Sequence, residues 1–187
     1  DLRRRVTGRF RRLAGDRAVT AANLSHLKTI IYGGAPMYLA DLEDALDVFG
    51  PRLAQIYGQG EAPMTITALS KDDHADRNHP RWRDRLQSVG VPRTDVEVRV
   101  VDDEGAPVAE GEVGELQVNG PTSAQGYWNN REKSHATFQG PWTRSGDKYR
   151  VDTDGRYVYS GRTDDMLKVG GIYVSPIEVE SALITHA

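Results

Sequence analysis

The fold is decided by residues 28–61, which read KTIIYGGAPMYLADLEDALDVFGPRLAQIYGQGE. Apolar runs at 28–32 and 53–57 predict two short, buried strands. The pair Gly50-Pro51 ends a helix whose apolar side chains recur at helical spacing, at Leu39, Leu42, Leu46 and Phe49. A strand, a helix and a second strand form a βαβ unit, which implies parallel strands and a right-handed crossover. The sequence therefore predicts an α/β fold.

A glycine-rich loop follows each of these predicted strands. Gly33-Gly34-Ala35-Pro36 follows the first strand, and Gly58-Gln59-Gly60-Glu61 follows the second. Both loops would lie at the carboxyl ends of parallel strands, where open α/β sheets bind ligands. One such loop is a weak signal, whereas two on the same edge of a sheet indicate a ligand site.

Two polar clusters in the second half of the chain mix residue types that suit a phosphorylated ligand. They span residues 142–147 and 160–171, and they combine arginine, carboxylates, a lysine and glycines. Arginine offers a planar fork to phosphate or ribose oxygens, aspartate accepts hydrogen bonds from sugar hydroxyls, and glycine lets the backbone approach a ligand closely. Taken alone, each cluster fits a solvated loop equally well, and that alternative stays open.

The composition of the chain excludes several kinds of partner and site. The chain has 187 residues and a net charge of −3, so we expect no nucleic-acid partner. The absence of cysteine excludes disulfides, thiolate zinc sites and a cysteine nucleophile. No apolar run approaches transmembrane length and no secretory signal is recognisable, so we expect a cytoplasmic protein without a transmembrane segment.

The hydrophobic period changes from helical to alternating in the second half of the chain. Residues 96–100 predict a strand, and further strands are predicted at 114–118 and 156–159. Turns and glycines separate these runs, so we expect a small antiparallel or barrel-like β subdomain. Residues 152–155, Asp-Thr-Asp-Gly, lack the remaining ligands of a calcium loop and predict a hairpin turn instead.

A polar stretch at 71–86 contains two histidines, His74 and His79, among several aspartates. A metal site is conceivable there. The spacing fits no familiar zinc pattern, however, and polar loops often collect such residues. We therefore interpret the stretch as a polar loop.

The last segment indicates the start of a helix. Residues 175–178, Ser-Pro-Ile-Glu, form a capping box with proline at the first helical position. The chain stops at Ala187 without a closing glycine, so we expect a cut within a longer protein. The predicted division is an α/β part at 1–70, the β subdomain at 71–162, and the start of an α+β domain at 163–187.

Seven segments of the chain match one enzyme superfamily in the same order: 33–36, 57–61, 114–116, 126–129, 145–147, 161–165 and 174–180. On these segments the chain resembles the adenylate-forming superfamily of acyl- and aryl-CoA ligases, luciferases and peptide-synthetase adenylation domains. The later half is similar to benzoate-CoA ligases, and residues 57–67 are more similar to medium- or long-chain fatty-acyl-CoA ligases. The implied fold is part of a large AMP-binding lobe plus the start of a small C-terminal domain.

The resemblance implies a reaction in two steps. A carboxylate attacks the α-phosphate of ATP in the presence of Mg²⁺, and the thiol of coenzyme A then displaces AMP. The implied cofactors are therefore ATP or AMP, Mg²⁺ and coenzyme A. The implied partner is a small-molecule carboxylic acid, and the resemblance also allows a homodimer.

The resemblance assigns roles to individual residues as well. Glu61 would hold Mg²⁺ and act in catalysis, Asp147 would accept both ribose hydroxyls, and Arg162 would contact ribose or phosphate in catalysis. The adenine and acyl groups would lie against the two glycine-rich loops, at Gly33, Gly34, Ala35, Pro36, Tyr57, Gly58 and Gln59.

The remaining predicted cofactor residues lie near the end of the chain. Asp164 would be the hinge about which the C-terminal domain swings between the two steps. Gly170 and Gly171 would approach the pantetheine tunnel, where side chains would obstruct. Lys168 is counted with these cofactor-binding residues, and it is not the family's catalytic lysine.

Three departures from the family bear on function. Gly60 stands where the family usually has threonine, which removes a hydroxyl from the phosphate contact. The family's phosphate loop and its catalytic lysine do not occur in this chain. We therefore expect an acyl- or aryl-CoA ligase fragment that is inactive alone. An enzyme that loads a carrier protein and a non-catalytic nucleotide-binding fragment are the alternatives.

Overall fold

The computed structural model describes most of the chain, at residues 12–13, 15–20, 22–169, 172–174, 176, 179 and 183. Its first described element is α1, a single helical turn at Arg17–Thr20. The predicted capping box depends on Ser175 and Glu178, which lie outside the described residues.

The predicted βαβ unit is confirmed. Strand β1 covers Ile30–Gly33, helix α2 covers Leu39–Phe49, and strand β2 covers Leu53–Tyr57. The two strands pair in parallel. The helix ends where predicted because Gly50 adopts a φ of 61°, which a residue with a side chain rarely does.

Two further strands, absent from the sequence-based predictions, extend this sheet. Strand β3 (Thr67–Leu69) pairs antiparallel with β2, and β4 (Val91–Pro92) pairs antiparallel with β3. The strand order is β1-β2-β3-β4. With three and two residues, these strands are too short to show an alternating pattern.

The polar stretch between β3 and β4, predicted as a loop, contains two short helices. Helix α3 covers Lys71–Ala75 and helix α4 covers Trp82–Leu86. Ser70 and Asp73 form a capping box that starts α3. His74 is fully buried, and its Nε2 lies 2.9 Å from Tyr32 Oη in the core.

Helices α2 and α4 cover one face of this first sheet with an apolar core. Leu42, Leu53 and Leu69 are fully buried within it. Burying an aliphatic side chain of this size contributes about 1.5–3 kcal/mol. The complete buried cluster consists of Tyr32, Leu42, Ala45, Leu46, Phe49, Leu53, Leu69, Trp82 and Leu86.

A second sheet contains five antiparallel strands in the order β5-β6-β8-β7, with β9 also paired to β8. The predicted antiparallel subdomain is therefore present, and its three predicted strands correspond to β5, β6 and β9. The elements are β5 at Glu97–Val101, β6 at Gly114–Asn119, α5 at Arg131–Thr137, β7 at Phe138–Gln139, β8 at Trp142–Val151 and β9 at Tyr157–Arg162.

The hairpin turn predicted at 152–155 joins β8 to β9. Asp152 Oδ1 accepts hydrogen bonds from the N–H groups of Asp154 and Arg156, at 2.9 and 2.8 Å. The other carboxylate oxygen, Oδ2, lies 3.0 Å from Arg81 Nη2. Asp152 therefore fixes the turn and ties it to the start of α4.

The two sheets are joined by backbone hydrogen bonds. The N–H of Val89 donates to the carbonyl of Tyr157 at 2.8 Å, and the N–H of Tyr157 donates to the carbonyl of Gly90 at 3.1 Å. This joint places the carboxyl ends of β1 and β2 near β8 and β9. Residues 71–92 contact the first sheet, whereas the proposed domain boundaries themselves stay predictions.

A third, two-stranded sheet lies near the end of the chain. Strand β10 (Leu167–Val169) pairs antiparallel with β11 (Ile172–Val174). Among the residues that the structure describes, no helix has the length and apolar character needed to cross a membrane.

Candidate functional site

A cavity of about 590 Å³ lies between the two sheets. The loops after β1 and β2 form one side, and α5, β6, β8 and β9 form the other. Segments from both halves of the chain therefore meet in one place. The predicted site residues that line the cavity are Gly34, Ala35, Pro36, Tyr57, Gly58, Gln59, Glu61, Asp147 and Arg162.

Asp147 is the most heavily hydrogen-bonded of these residues. Its Oδ2 accepts hydrogen bonds from Tyr57 Oη and Gln59 Nε2, both at 2.7 Å. Its Oδ1 accepts a hydrogen bond from Arg162 Nη1 at 3.0 Å. Gln59 Nε2 also donates to the carbonyl of Ser145 at 2.7 Å. A buried carboxylate needs such partners, and Asp147 is only 6% exposed.

The protonation states of the neighbouring groups follow from burial and charge. Burial raises the pKa of Tyr57 well above its usual value, and the negative charge of Asp147 raises it further. Burial also raises the pKa of Tyr149, whose ring centroid lies 5.3 Å from that of Tyr57. For Arg162, burial lowers the pKa, but the carboxylates of Asp147 and Asp164 raise it by more. Tyr57 is therefore a neutral donor to Asp147, and Arg162 is a charged one.

A second arrangement is built around Tyr127. Its hydroxyl donates a hydrogen bond to Glu61 Oε1. The ammonium of Lys133 lies 4.3 Å from the centroid of the same ring. Helix α5 holds the tyrosine, because its N–H donates to Ser134 Oγ at 2.9 Å and its ring lies 5.4 Å from that of Phe138. One tyrosine therefore links a carboxylate and a cation that both line the cavity.

Glu115 and Arg144 form an ion pair in the same cavity wall as Asp147. Glu115 is 4% exposed, and Arg144 Nε donates to its two carboxylate oxygens at 3.1 and 3.0 Å. This hydrogen bond is the main reason that the pKa of Arg144 is raised, in spite of the opposing effect of burial. The N–H of Gly146, at a φ of 67°, donates to Glu115 Oε1 at 3.1 Å. The pair therefore fixes the backbone next to Asp147.

Gln55 supplies an acceptor without a partner. Its side chain lines the cavity and is 7% exposed. Among the described residues, nothing forms a hydrogen bond with its Oε1. Leaving a buried polar atom unpaired costs about 1–3 kcal/mol. This unpaired oxygen therefore lowers the stability of the folded chain.

Of the other predicted site residues, the two that the structure describes in full, Gly33 and Asp164, do not line the cavity. A Cβ at Gly33 would lie 2.2 Å from a backbone oxygen of β2, so this glycine permits close packing of the two strands. The side chain of Asp164 is 75% exposed. Lys168 lies in β10, whose side chains are not described, and Gly170 and Gly171 lie outside the described residues.

Several cavity residues were not assigned a role from the sequence. Glu115 and Tyr127 lie in segments that carry the family resemblance, so a signal existed for them. Gln55 is a polar residue within an apolar strand, which also marks it. Lys133 lies in residues 126–134, a segment similar to benzoate-CoA ligases, but no role was assigned to it because a lysine on a short polar helix is ordinary. The unassigned residues include Gln55, Glu115, Tyr127, Lys133, Arg144, Tyr149 and Tyr159.

The side chains of the cavity could bind Mg²⁺ together with a nucleotide, but not Mg²⁺ alone. The described part of the chain holds no group of three or more His, Cys, Asp or Glu side chains that could bind a metal. Mg²⁺ that accompanies a nucleotide needs only one or two carboxylates, because phosphate oxygens and water complete its octahedron. Glu61, a hard oxygen ligand in the cavity wall, fits that requirement.

Comparison with known sequences gives consistent matches. Residues 6–128 match the family described as AMP-binding enzyme. The chain is 43% identical over 164 residues to the medium/long-chain-fatty-acid–CoA ligase FadD8 of Mycobacterium tuberculosis, covering 88% of this chain and 28% of that protein. It is 62% identical over 98 residues to the benzoate–CoA ligase of Thauera aromatica, covering 52% of this chain and 19% of that protein. The chain thus spans less than a third of either relative.

A solved structure agrees with the fold. The amide bond synthetase McbA from Marinactinospora thermotolerans superposes with a TM-score of 0.88 at 35% identity. The superposition covers 96% of this chain and 36% of that protein. The fold of this chain is therefore similar to part of that enzyme.

Proposed function

The chain belongs to the AMP-binding enzyme family, and from that premise we propose that it is part of an ATP-dependent acyl- or aryl-CoA ligase. In the proposed first step, a carboxylate oxygen of the acid attacks the α-phosphorus of ATP and pyrophosphate leaves, which gives an acyl-adenylate. In the second step, the thiol sulfur of coenzyme A attacks the acyl carbon and AMP leaves, which gives a thioester.

The position of Asp147 carries the proposal. A ribose presents two neighbouring hydroxyl donors, and a carboxylate presents two acceptor oxygens. Tyr57, Gln59 and Arg162 hold this carboxylate in one orientation on the cavity wall. The ribose hydroxyls would add to these donors or replace one of them. Asp147 is therefore proposed to anchor the nucleotide.

Other cavity residues suit the rest of the nucleotide. Glu61 would hold Mg²⁺, which when bound would neutralise charge on the phosphates. Arg162, already positively charged beside Asp147, would contact ribose or the α-phosphate. These groups bind and orient the nucleotide in a cavity bounded by two sheets.

The proposal also names a class of carboxylic acid substrate and an acceptor for the acyl group. The two curated relatives are named for a fatty acid and for benzoate, so we propose a small aromatic or fatty carboxylic acid. Both are named CoA ligases, which supports coenzyme A as the acceptor. The solved structure, by contrast, is named for amide bond synthesis. Product analysis with coenzyme A and with an amine would separate these acceptors.

Two further points belong to the proposal alone. We propose that the enzyme acts in the cytoplasm, where ATP and coenzyme A are supplied. A homodimer stays a prediction, which sedimentation or scattering measurements would test.

The proposed nucleotide site is tested by calorimetric titration of the chain with AMP. We expect binding by the wild-type chain and at least about a tenfold loss of affinity in Asp147→Asn, because a charge-assisted hydrogen bond contributes about 1.5–3 kcal/mol. Asp44→Asn provides a matched control, since Asp44 is an exposed residue of α2. Its affinity for AMP should equal that of the wild type.

The titration also requires evidence that the variant is folded. Circular dichroism must show that Asp147→Asn is folded, because Asp147 also pairs with Arg162 in the unliganded chain. If the folded wild-type chain binds no AMP, or if the folded Asp147→Asn binds it with unchanged affinity, the proposed nucleotide site is wrong.

A further inference from the structure

Of the charged side chains that line the cavity, four form two ion pairs and two are not paired with each other. Three carboxylates and three cations line it. Two of each are already paired, because Arg144 binds Glu115 and Arg162 binds Asp147. The charges that remain are those of Glu61 and Lys133. Among the described residues, Glu61 and Lys133 do not form an ion pair with each other.

Tyr127 holds Glu61 and Lys133 at separate positions. Its hydroxyl occupies one oxygen of the Glu61 carboxylate, and the face of its ring lies next to the Lys133 ammonium. A cation over a tyrosine ring keeps its N–H groups available, since the ring supplies no hydrogen-bond acceptor of its own. The cavity therefore presents one carboxylate oxygen and one ammonium that can both engage a ligand.

A ligand that neutralises the charges of both groups carries positive and negative charge a short distance apart. A magnesium–polyphosphate has this character, because the cation would lie at Glu61 and a phosphate oxygen at Lys133. Resting on the proposed function, we propose that Lys133 is a binding residue for the β- and γ-phosphates of ATP. Tyr127 is the positioning residue that keeps Lys133 apart from Glu61.

The structure explains why Lys133 takes this part of the nucleotide. Arg162 lies beside Asp147 and is thus placed at the ribose end of the proposed site. Lys133 belongs to α5, across the cavity, and is linked to the metal-binding candidate Glu61 through Tyr127. AMP, which lacks the two outer phosphates, would not reach Lys133. The carboxylate of the acid substrate is the other anion that could bind there.

The experiment is a calorimetric comparison of three probes, ATP with Mg²⁺, AMP, and benzoate, on the 187-residue chain. Lys133→Met keeps an apolar side chain over the Tyr127 ring and removes the ammonium. We expect about tenfold weaker binding of ATP and unchanged binding of AMP. Lys133→Arg should restore most of the ATP affinity, because the charge is retained.

The matched control is Arg131→Met, which removes one positive charge from the same helix at a residue that does not line the cavity. It should leave the affinity for ATP within about twofold of the wild type, since an exposed charge is strongly screened by salt. An equal loss in Arg131→Met and Lys133→Met would show a general effect of charge and would overturn the proposal.

The remaining outcomes separate this proposal from the proposed function. If wild type binds AMP and ATP, and Lys133→Met binds both as well as wild type, Lys133 does not bind the phosphates while the nucleotide site stands. An equal loss of both nucleotides, or a loss of benzoate binding alone, would also overturn the assignment to the outer phosphates. If the folded wild type binds neither nucleotide, both proposals are wrong.

Discussion

The two sheets bury their central strands in different ways. In the first sheet, the buried side chains form an apolar cluster with α2 and α4. In the second, β6 is buried along most of its length but has two unlike faces. Leu116 and Val118 lie on an apolar face, whereas Glu115 and Gln117 lie on a polar one. Because Glu115 lines the cavity, the polar face is the one that builds the candidate site.

The polar face of β6 is tolerated because its groups are paired. Glu115 is bound by Arg144, and Gln117 Oε1 accepts hydrogen bonds from Arg99 Nε and Nη2 at 3.0 and 2.7 Å. The guanidinium of Arg99 in turn lies 4.0 Å from the centroid of the Trp142 ring. Buried polar groups without such partners would destabilise the sheet. The first sheet therefore depends mainly on the volume of its apolar side chains, with one buried polar pair at His74 and Tyr32, whereas the second sheet depends on several ion pairs and hydrogen bonds as well.

The largest expected effect lies at the joint between the two sheets, at Gly90. This residue has a φ of 80°, and a Cβ there would lie 1.9 Å from the carbonyl oxygen of Ala68. Gly90→Ala would combine backbone strain with a steric clash, and we expect a loss of about 4 kcal/mol in the free energy of unfolding. Urea denaturation followed by circular dichroism measures the loss. A variant that is unfolded without urea is the extreme of the same result.

Gly105→Ala is the matched control for this prediction. Gly105 has a φ of 88°, but no atom lies within 4 Å of the position that a Cβ would take. Only the backbone strain remains, which costs about 1–2 kcal/mol. If the two variants lose the same stability, close packing between the sheets does not determine the need for glycine at 90.

The next largest loss of stability is expected in the apolar cluster of the first sheet. Leu42 is completely buried between α2 and the first sheet. Leu42→Ala should lower the free energy of unfolding by about 3 kcal/mol, because it removes buried methyl groups and leaves a cavity. Ile31→Ala, in a strand of the same sheet where the side chain is 62% exposed, should cost less than about 1 kcal/mol. Equal losses in urea denaturation would contradict the view that buried volume stabilises this region.

The sequence predicted the apolar region better than its surroundings. A long helical stripe and two apolar runs were sufficient for the βαβ unit, since periodicity reports burial on one face. The strands β3 and β4 were missed because they are too short to show a period. Helix α3 was interpreted as loop, although Ser70 and Asp73 form its capping box. There, the cap was a better signal than hydrophobicity.

The candidate site was predictable where it rests on motifs. The glycine-rich loops and Asp147 were found in that way, and they line the cavity. The pairing of Tyr127 with Glu61 and the position of Lys133 required the fold, because they depend on how α5 packs against a loop far away in the sequence. Single-sequence patterns do not contain that information.

The smallest expected effect is a dependence on pH that the first sheet gains from His74. The carbonyl of Ser70, 2.6 Å from Nδ1, can only accept a hydrogen bond, so Nδ1 carries the proton. Nε2 then accepts a hydrogen bond from Tyr32 Oη at 2.9 Å. Burial lowers the pKa of His74 below 6.5, although the Ser70 carbonyl and the charge of Asp73 oppose this. The imidazole is thus neutral in the folded chain.

Because the folded chain binds a proton at His74 only at a lower pH than the unfolded chain does, stability should fall as the pH decreases below about 6.5, the pKa of an unperturbed histidine. The slope contributed by this one group is at most about 1.4 kcal/mol per pH unit. Urea denaturation between about pH 5 and 8 should show that His74→Gln is less stable at the upper end but has a flatter dependence on pH. His26→Gln, at an exposed histidine, should keep the wild-type slope. An unchanged slope in His74→Gln would show that this histidine does not cause the acid sensitivity of the chain.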